Sequence, residues 1–266
     1  MIELQHISFD YADASGKHPV FSRISLSIPP GEAIAIMGAN GSGKSTLVKF
    51  FNGLLVPSQG KVFADGLDTA VDDNLPLIRR RIGMIFQNPD NQIVSATVER
   101  EIAFGLENLG MPYEAMHKRV EEMLLRLNLL HLRKKSPHYL SGGEKQRLAL
   151  AAVLAMQPRY LILDEPTSLL DPRSREEIIA YVKQLHTHPA NGDRENMTTV
   201  LVTQFPEEAM TADRLLVLGD RRIVFDGPPA EIFSRANELF PLGLEPPADF
   251  YLEYLLRMQN EKRSLD

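Results

Sequence analysis

Eight residues constrain this chain more than any others: Gly38, Ala39, Asn40, Gly41, Ser42, Gly43, Lys44 and Ser45. They spell G-x-x-x-x-G-K-[ST], a phosphate-binding loop. Average residue usage would produce the pattern by chance in about one chain in a hundred of this length. Its flanks supply the context the motif needs. The apolar run Glu32 to Met37 reads as a buried parallel strand, and Thr46 to Phe51 reads as a helix ending near Gly53. Glycines let successive backbone N–H groups curl inward around a phosphate, and the helix start adds a favourable dipole. Lys44 then reaches the outer phosphates, and the Ser45 hydroxyl is placed to ligate Mg²⁺.

The 266 residues are 44% hydrophobic and 24% charged, enough for a sizeable core. The net charge of −6 speaks against a general nucleic-acid surface. No run approaches 18 apolar residues, the start Met1 to Leu4 lacks the features of a signal peptide, and there are no cysteines. The expectation is a cytoplasmic α/β protein.

Residues 2–9 and 21–28 read as short strands joined by a polar loop from Asp10 to Pro19, with Tyr11 at its start. Tyr11 is either an aromatic packed on a strand end or a ring that stacks on a nucleotide base. Lys61 to Ala64 and Ile82 to Phe86 are further strands, and the three arginines 79–81 read as a solvated segment. The polar stretch Gln87 to Gln92 falls at a strand end, where α/β sheets bind ligands. Residues 98–109 and 113–130 carry helical periodicity, so roughly 90–140 is a helical insertion. In Ser141-Gly142-Gly143-Glu144, ahead of a helix over 144–156, the glycines are either a plain cap or an anion-binding helix start. Tyr160 to Leu163 is a buried strand ending in Asp164 and Glu165, two carboxylates that need partners such as a metal-bound phosphate and a water. Asp171 follows in a short loop before a helix over 173–185. Residues 186–196 read as a surface connection. Thr198 to Thr203 is a strand ending at Gln204, and 215–218 with 222–225 form a hairpin. From Pro228 the chain changes character, with a helix over 230–240, a proline-rich turn and an amphipathic helix over 250–258.

Together, Gly38–Ser45, Leu140-Ser141-Gly142-Gly143-Glu144 and Leu161-Ile162-Leu163-Asp164-Glu165-Pro166 resemble the Walker A, signature and Walker B motifs of the ATP-binding-cassette (ABC) ATPases, over about residues 2–227. The stretches 86–94 and 97–108, with a weaker match at 229–233, are similar to the energy-coupling factor (ECF) ATPases of vitamin and cobalt or nickel importers. The resemblance implies a P-loop NTPase (RecA-like) core with an N-terminal antiparallel β subdomain, a helical subdomain over about 90–156, and an extension at 228–266 used in pairing. It implies that ATP is held by residues 38–46, with Tyr11 on the adenine, and that Mg²⁺ is held by Ser45, Gln87 and Asp164. Glu165 is then the general base, with Gln87 and Gln204 beside it. Ser141, Gly142 and Gly143 would cap the γ-phosphate bound by a second ABC ATPase subunit, with Asp171 crossing that interface. Further implied partners are a multi-span transmembrane coupling subunit and a small integral solute-binding subunit, with no nucleic acid and a peripheral place on the cytoplasmic membrane face. Acidic Glu99, Glu101 and Glu107 would line the groove for the coupling subunit.

Gln204 departs from the family, which usually has histidine there. A glutamine donates a hydrogen bond but carries no proton or positive charge. Either it substitutes adequately, or hydrolysis at this site is slow and a different partner chain carries most turnover. Two other functions would leave different marks in the sequence. A soluble ABC ATPase acting on ribosomes or DNA would typically have two cassettes or a coiled-coil insertion. A sensor without catalysis would lack the carboxylate at 165.

Overall fold

The computed structural model describes residues 1–13, 16–187 and 197–263. Its frame is a six-stranded sheet in which continuous apolar runs make strands covered on both faces. These strands are β3 (Ala33–Gly38), β6 (Ile82–Ile85), β7 (Tyr160–Asp164), β8 (Thr198–Val202), β9 (Arg214–Gly219) and β10 (Arg222–Gly227), in the order β10-β9-β3-β8-β7-β6. All pairings from β9 to β6 are parallel, and β10 closes one edge as an antiparallel hairpin partner of β9. Every residue of β3, β6, β7 and β8 is buried.

A second sheet, β2-β1-β4-β5, is antiparallel and built from β1 (Ile2–Asp13), β2 (Gly16–Ile28), β4 (Gln59–Ala64) and β5 (Leu67–Asp68). The stretch Asp10 to Pro19 is not a loop, because the hairpin continues through Asp10↔Pro19, Tyr11↔His18 and Ala12↔Lys17. An antiparallel ribbon wet on both faces has no apolar alternation to betray it. Helix α1 (Lys44–Phe51) lies between the two sheets, and its Phe50 and Phe51 are fully buried among Ile2, Ile7, Phe21, Ile34 and Ile36.

The arginine run is solvated as expected, with Arg79 and Arg80 exposed, and it is helical. It forms helix α2 (Leu75–Arg81), where Arg79 donates to the carbonyls of Asn52 and Gly53 just past α1, and Arg81 pairs with Asp65 at 3.4 Å. A cation suits the carbonyl-rich end of a helix. The insertion consists of α3 (Val98–Asn108), α4 (Tyr113–Arg126) and α5 (Gly142–Ala155), whose apolar faces share a core with one face of the large sheet. Helix α6 (Pro172–Thr187) follows β7. The expected surface connection falls largely on 188–196, outside the described residues.

After β8 comes the short helix α7 (Pro206–Ala209), which the sequence reading missed. The expected helix over 230–240 splits into α8 (Pro229–Phe233) and α9 (Ala236–Leu239) at Arg235, whose ψ of 44° is not helical. Helix α10 (Ala248–Arg263) completes the extension. Ile232, Phe233, Leu239 and Leu244 pack with Met37, Leu215, Val217 and Phe225, so the extension is rooted on the sheet near β3 and β9.

Candidate nucleotide site

Parallel neighbours end on the same edge, so β3, β6, β7 and β8 deliver 38–45, 86–87, 164–165 and 203–204 to one place. Between β3 and α1 the loop closes on Lys44, which is 5% exposed. Its Nζ donates to the carbonyls of Gly38 (2.9 Å) and Ala39 (3.2 Å) and lies 3.7 Å from Glu165 Oε1. Gly43 has φ 96°, and a Cβ there would stand 2.7 Å from the Phe21 ring, so both conformation and space demand glycine. Burial holds the Lys44 ammonium below its usual range, with the Glu165 charge opposing that shift.

Ser45 Oγ donates to Asp164 Oδ1 at 2.8 Å. Burial raises the Asp164 carboxyl; the Ser45 hydrogen bond works against this, and neighbouring Glu165 adds to it. Glu165 is 7% exposed and sits at φ 49°, a left-handed conformation that costs a side chain about 1–2 kcal/mol. Its N–H donates to Val202 O at 3.0 Å, which ties the turn to β8. The Oε2 atom accepts from Gln87 Nε2 (3.0 Å) and Gln204 Nε2 (2.7 Å). The two glutamines thus grip one carboxylate oxygen and leave the other facing Lys44.

The pocket suits an anion with a hard cation. Ser42 Oγ is buried without a hydrogen-bond partner, in the same loop as the buried Lys44. Two adjacent buried carboxylates call for positive charge beyond one lysine. Among the described residues no group of three or more His, Cys, Asp or Glu could hold a metal alone. A hydroxyl, a carboxylate and an amide oxygen, from Ser45, Asp164 and Gln87, instead match a Mg²⁺ that shares its shell with phosphate oxygens and water.

Tyr11 is 42% exposed, edge-on to Phe9 at 4.9 Å between centroids, and its hydroxyl is 3.2 Å from Thr46 Oγ1. The ring therefore lies beside the first turn of α1. It sits on a strand rather than in the expected loop.

The remaining candidates form a second group. Ser141 accepts from Glu144 N at 3.3 Å while Glu144 accepts from Ser141 N at 2.7 Å, a capping box that holds the Glu144 carboxyl below its usual range. The first N–H groups of α5, at Gly142 and Gly143, have no partner within the helix. A Cβ on Gly143 would stand 2.7 Å from Ser174 Oγ, so α5 begins hard against the first turn of α6. Asp171 caps that turn, accepting from Ser174 N at 3.0 Å, and its own carboxyl is lowered by that contact. No hydrogen bond or ion pair among the described residues joins 141–143 to 38–46. A cleft of about 120 Å³ separates α5 from the 87–90 turn and Leu169 and Leu170, bridged by Lys145 to Asp90 at 2.6 Å.

Glu99, Glu101 and Glu107 do not line one acidic groove. Glu101 is buried and accepts from Val94 N and Ser95 N, and Glu99 is paired with Arg133 at 2.6 Å; of the three only Glu107 is exposed. Residues the sequence reading missed are Thr167, Thr203 and Glu208, a buried hydrogen-bonded set behind the carboxylates.

A family model described as "ABC transporter" matches residues 21–168. The energy-coupling factor transporter ATP-binding protein EcfA1 of Caldanaerobacter subterraneus subsp. tengcongensis is 44% identical over 97% of this chain and 92% of its own length. That of Symbiobacterium thermophilum is 46% identical over 93% of this chain and 86% of its own. Among solved structures, cbiO1 from Clostridium perfringens, described as part of the ABC transporter complex cbiONQ, superposes with TM-score 0.78 at 33% identity, over 95% of this chain and 98% of that one. A dimeric post-hydrolysis state of the ATP-binding cassette MJ0796, bound to ADP and Pi, gives TM-score 0.77 at 30% identity, over 86% of this chain and 99% of that one. These likenesses do not favour a ribosome or DNA role. With its fold, its motifs and relatives matched along nearly the whole length, the chain belongs to the ABC transporter family, as an ATPase of the energy-coupling factor type.

Proposed function

We propose that this chain energises an ECF-type importer of a micronutrient, and that ATP-driven closing and opening of a cassette pair is its working stroke. The observation that carries the reading is the convergence of Lys44, Ser45, Asp164, Glu165, Gln87 and Gln204 at the ends of four parallel strands. Residues 38–46 hold the phosphates of ATP and Tyr11 takes the adenine face. Ser45, Asp164 and Gln87 hold Mg²⁺, which when bound neutralises charge on the phosphates. Lys44 leaves its loop carbonyls and Glu165 for the more negative phosphates. That frees Glu165 Oε1 to orient and deprotonate the attacking water, while the two glutamines keep Oε2 fixed.

The second group, Ser141–Gly143 with Asp171, serves a partner cassette. Helix-start N–H groups suit a γ-phosphate held by the other chain, so ATP bridges the two subunits until hydrolysis releases them. The partner ATPase is a different chain in our reading, because Gln204 supplies no imidazolium. The exposed apolar side chains Val94 and Phe104 face a multi-span coupling subunit, and a small integral subunit binds the solute. No helix among the described residues is long and apolar enough to cross a membrane. We place the chain peripherally on the cytoplasmic membrane face, with 1–227 as the ATPase unit, its helical part at about 90–156, and 228–266 assisting pairing.

The test is the chain assembled with its membrane partners in vesicles. With the partner cassette's own hydrolytic site inactivated, Glu165→Gln should lower the remaining ATP hydrolysis about 100-fold or more, and solute uptake with it, while nucleotide still binds. Uptake that persists in that variant would overturn the reading.

A further inference from the structure

Glu208 is 4% exposed, on the four-residue helix α7, and no role above uses it. Each of its carboxylate oxygens has its own partner. Oε1 accepts from Thr167 Oγ1 at 2.7 Å, and Oε2 accepts from Thr203 Oγ1 at 2.5 Å. Both threonines are 1% exposed. Thr167 lies two residues after Glu165 and four before Asp171; Thr203 directly precedes Gln204. Thr203 Oγ1 also accepts from Phe205 N at 3.0 Å, so one hydroxyl spans the backbone on both sides of Gln204. The Arg175 guanidinium lies 3.5 Å from the Phe205 ring centroid, with its Nε 3.9 Å from Glu208 Oε1. Three segments therefore meet on one buried carboxylate: the turn bearing Glu165, the strand end bearing Gln204, and the first turn of the helix that Asp171 caps.

An ionised or ionisable group is expensive to bury, and two threonine hydroxyls alone would not require it. What a carboxylate adds is two acceptor oxygens and no donor, so both hydroxyls are forced to point at it. Thr203 then has a lone pair fixed for Phe205 N, and the backbone of Gln204 has one conformation. We propose that Glu208 is a positioning residue for hydrolysis: by tying Thr167 to Thr203 it fixes Gln204 against Glu165, and it links that register to the Asp171 loop facing the partner cassette. The inference rests on the assignment of Glu165 and Gln204 to the hydrolytic centre.

The test uses the assembled transporter with the partner cassette's hydrolytic site inactivated, and separates kcat, KM for ATP and the Kd of a fluorescent ATP analogue. Glu208→Ala should lower kcat on the order of 10- to 100-fold, the scale of small misplacements at a reacting centre, while KM and Kd stay within about twofold. Glu208→Gln keeps one acceptor oxygen and should recover part of the loss. Thr167→Val, which removes only one hydroxyl, should lower kcat in the same sense. Adding it to Glu208→Ala should cost little more, as for members of one network. Thr203→Ser, which keeps the hydroxyl, should stay near wild type. A Glu208→Ala protein with wild-type kcat would overturn the proposal. So would one whose kcat and nucleotide affinity fall together, or a Thr167→Val protein of normal kcat if Glu208→Ala fails to fold. Glu165→Gln separates the two readings. If it leaves hydrolysis intact, the hydrolytic assignment and this inference both fall. If it abolishes hydrolysis and Glu208→Ala does not slow it, only the role of Glu208 falls.

Discussion

Gln204 is the residue whose sequence and geometry say different things. From sequence it is a lost histidine; in the structure its amide donates to Glu165 at 2.7 Å, a bond that a neutral donor makes well. What it lacks is a positive charge for the transition state. Gln204→His should therefore raise turnover at this site by about tenfold, within the range of one added electrostatic donor. Hydrolysis by the assembled pair, compared with Glu165→Gln, measures it. An unchanged rate with Glu165→Gln inactive would mean that glutamine already suffices. Motif residues such as Lys44, Ser45, Asp164 and Glu165 were legible because phosphate chemistry dictates their types and spacing. Glu208 was not, since nothing in Pro-Glu-Glu-Ala separates a buried carboxylate from an exposed one. The pH signature of Glu208 can be worked out. Burial raises its carboxyl above the ordinary 4.5, with the two threonine hydrogen bonds and Arg175 opposing. A raised folded value favours the protonated folded form, so its stabilising contribution is full below the unfolded value and is lost as pH rises through the folded one. On lowering pH from about 7 towards the ordinary 4.5, wild type should gain more thermal stability than Glu208→Gln, a difference read directly from paired melting curves.

At the scale of elements, α3 shows how much periodicity reveals and where it stops. Its periodicity is carried by Ile102, Phe104 and Leu106, of which Ile102 and Leu106 are buried and Phe104 is exposed. The carboxylates were grouped as one acidic face, yet residues two apart on a helix point in opposed directions. Glu99 turns out to Arg133, and Glu101 turns in to hold the backbone of 94–95. Which carboxylate is solvated depends on a loop from elsewhere in the chain, and no local pattern encodes that. The two should respond differently. Glu101→Ala orphans two backbone donors and should cost about 1–3 kcal/mol in denaturant unfolding. Glu99→Ala breaks a half-exposed pair and should cost less than about 1 kcal/mol. Equal costs would show that the 94–95 turn is not held by Glu101. The hairpin β1–β2 makes the same point for strands. Its outer half is paired through Asp10, Tyr11 and Ala12, but a ribbon without a buried face has no apolar rhythm.

For the whole molecule, the site's incompleteness is the organising fact. One chain gathers 38–46, 87, 164–165 and 204 on one sheet edge, while 141–143 and 171 lie together at the meeting of α5 and α6. In our proposal each group is half of a nucleotide sandwich, completed by the other group of a partner cassette. We propose that the extension adds pairing that does not depend on nucleotide. Helix α10 is fixed to the body through Phe250 against Phe233 and through Tyr251 and Tyr254 against Phe240. Leu252, Leu255 and Leu256 lie three and four residues apart and are 57%, 43% and 52% exposed, an apolar stripe on the outer side. Covering it with the same region of a partner cassette would contribute about 1.5–3 kcal/mol for each leucine fully buried. Leu252→Ser with Leu256→Ser should therefore weaken association of the cassette pair at least tenfold without nucleotide, while the chain's own affinity for ATP is unaltered. Sedimentation with and without ATP distinguishes the contributions. If the double variant associates as wild type does in both conditions, the leucine stripe adds nothing to pairing and α10 only packs on the body of its own chain.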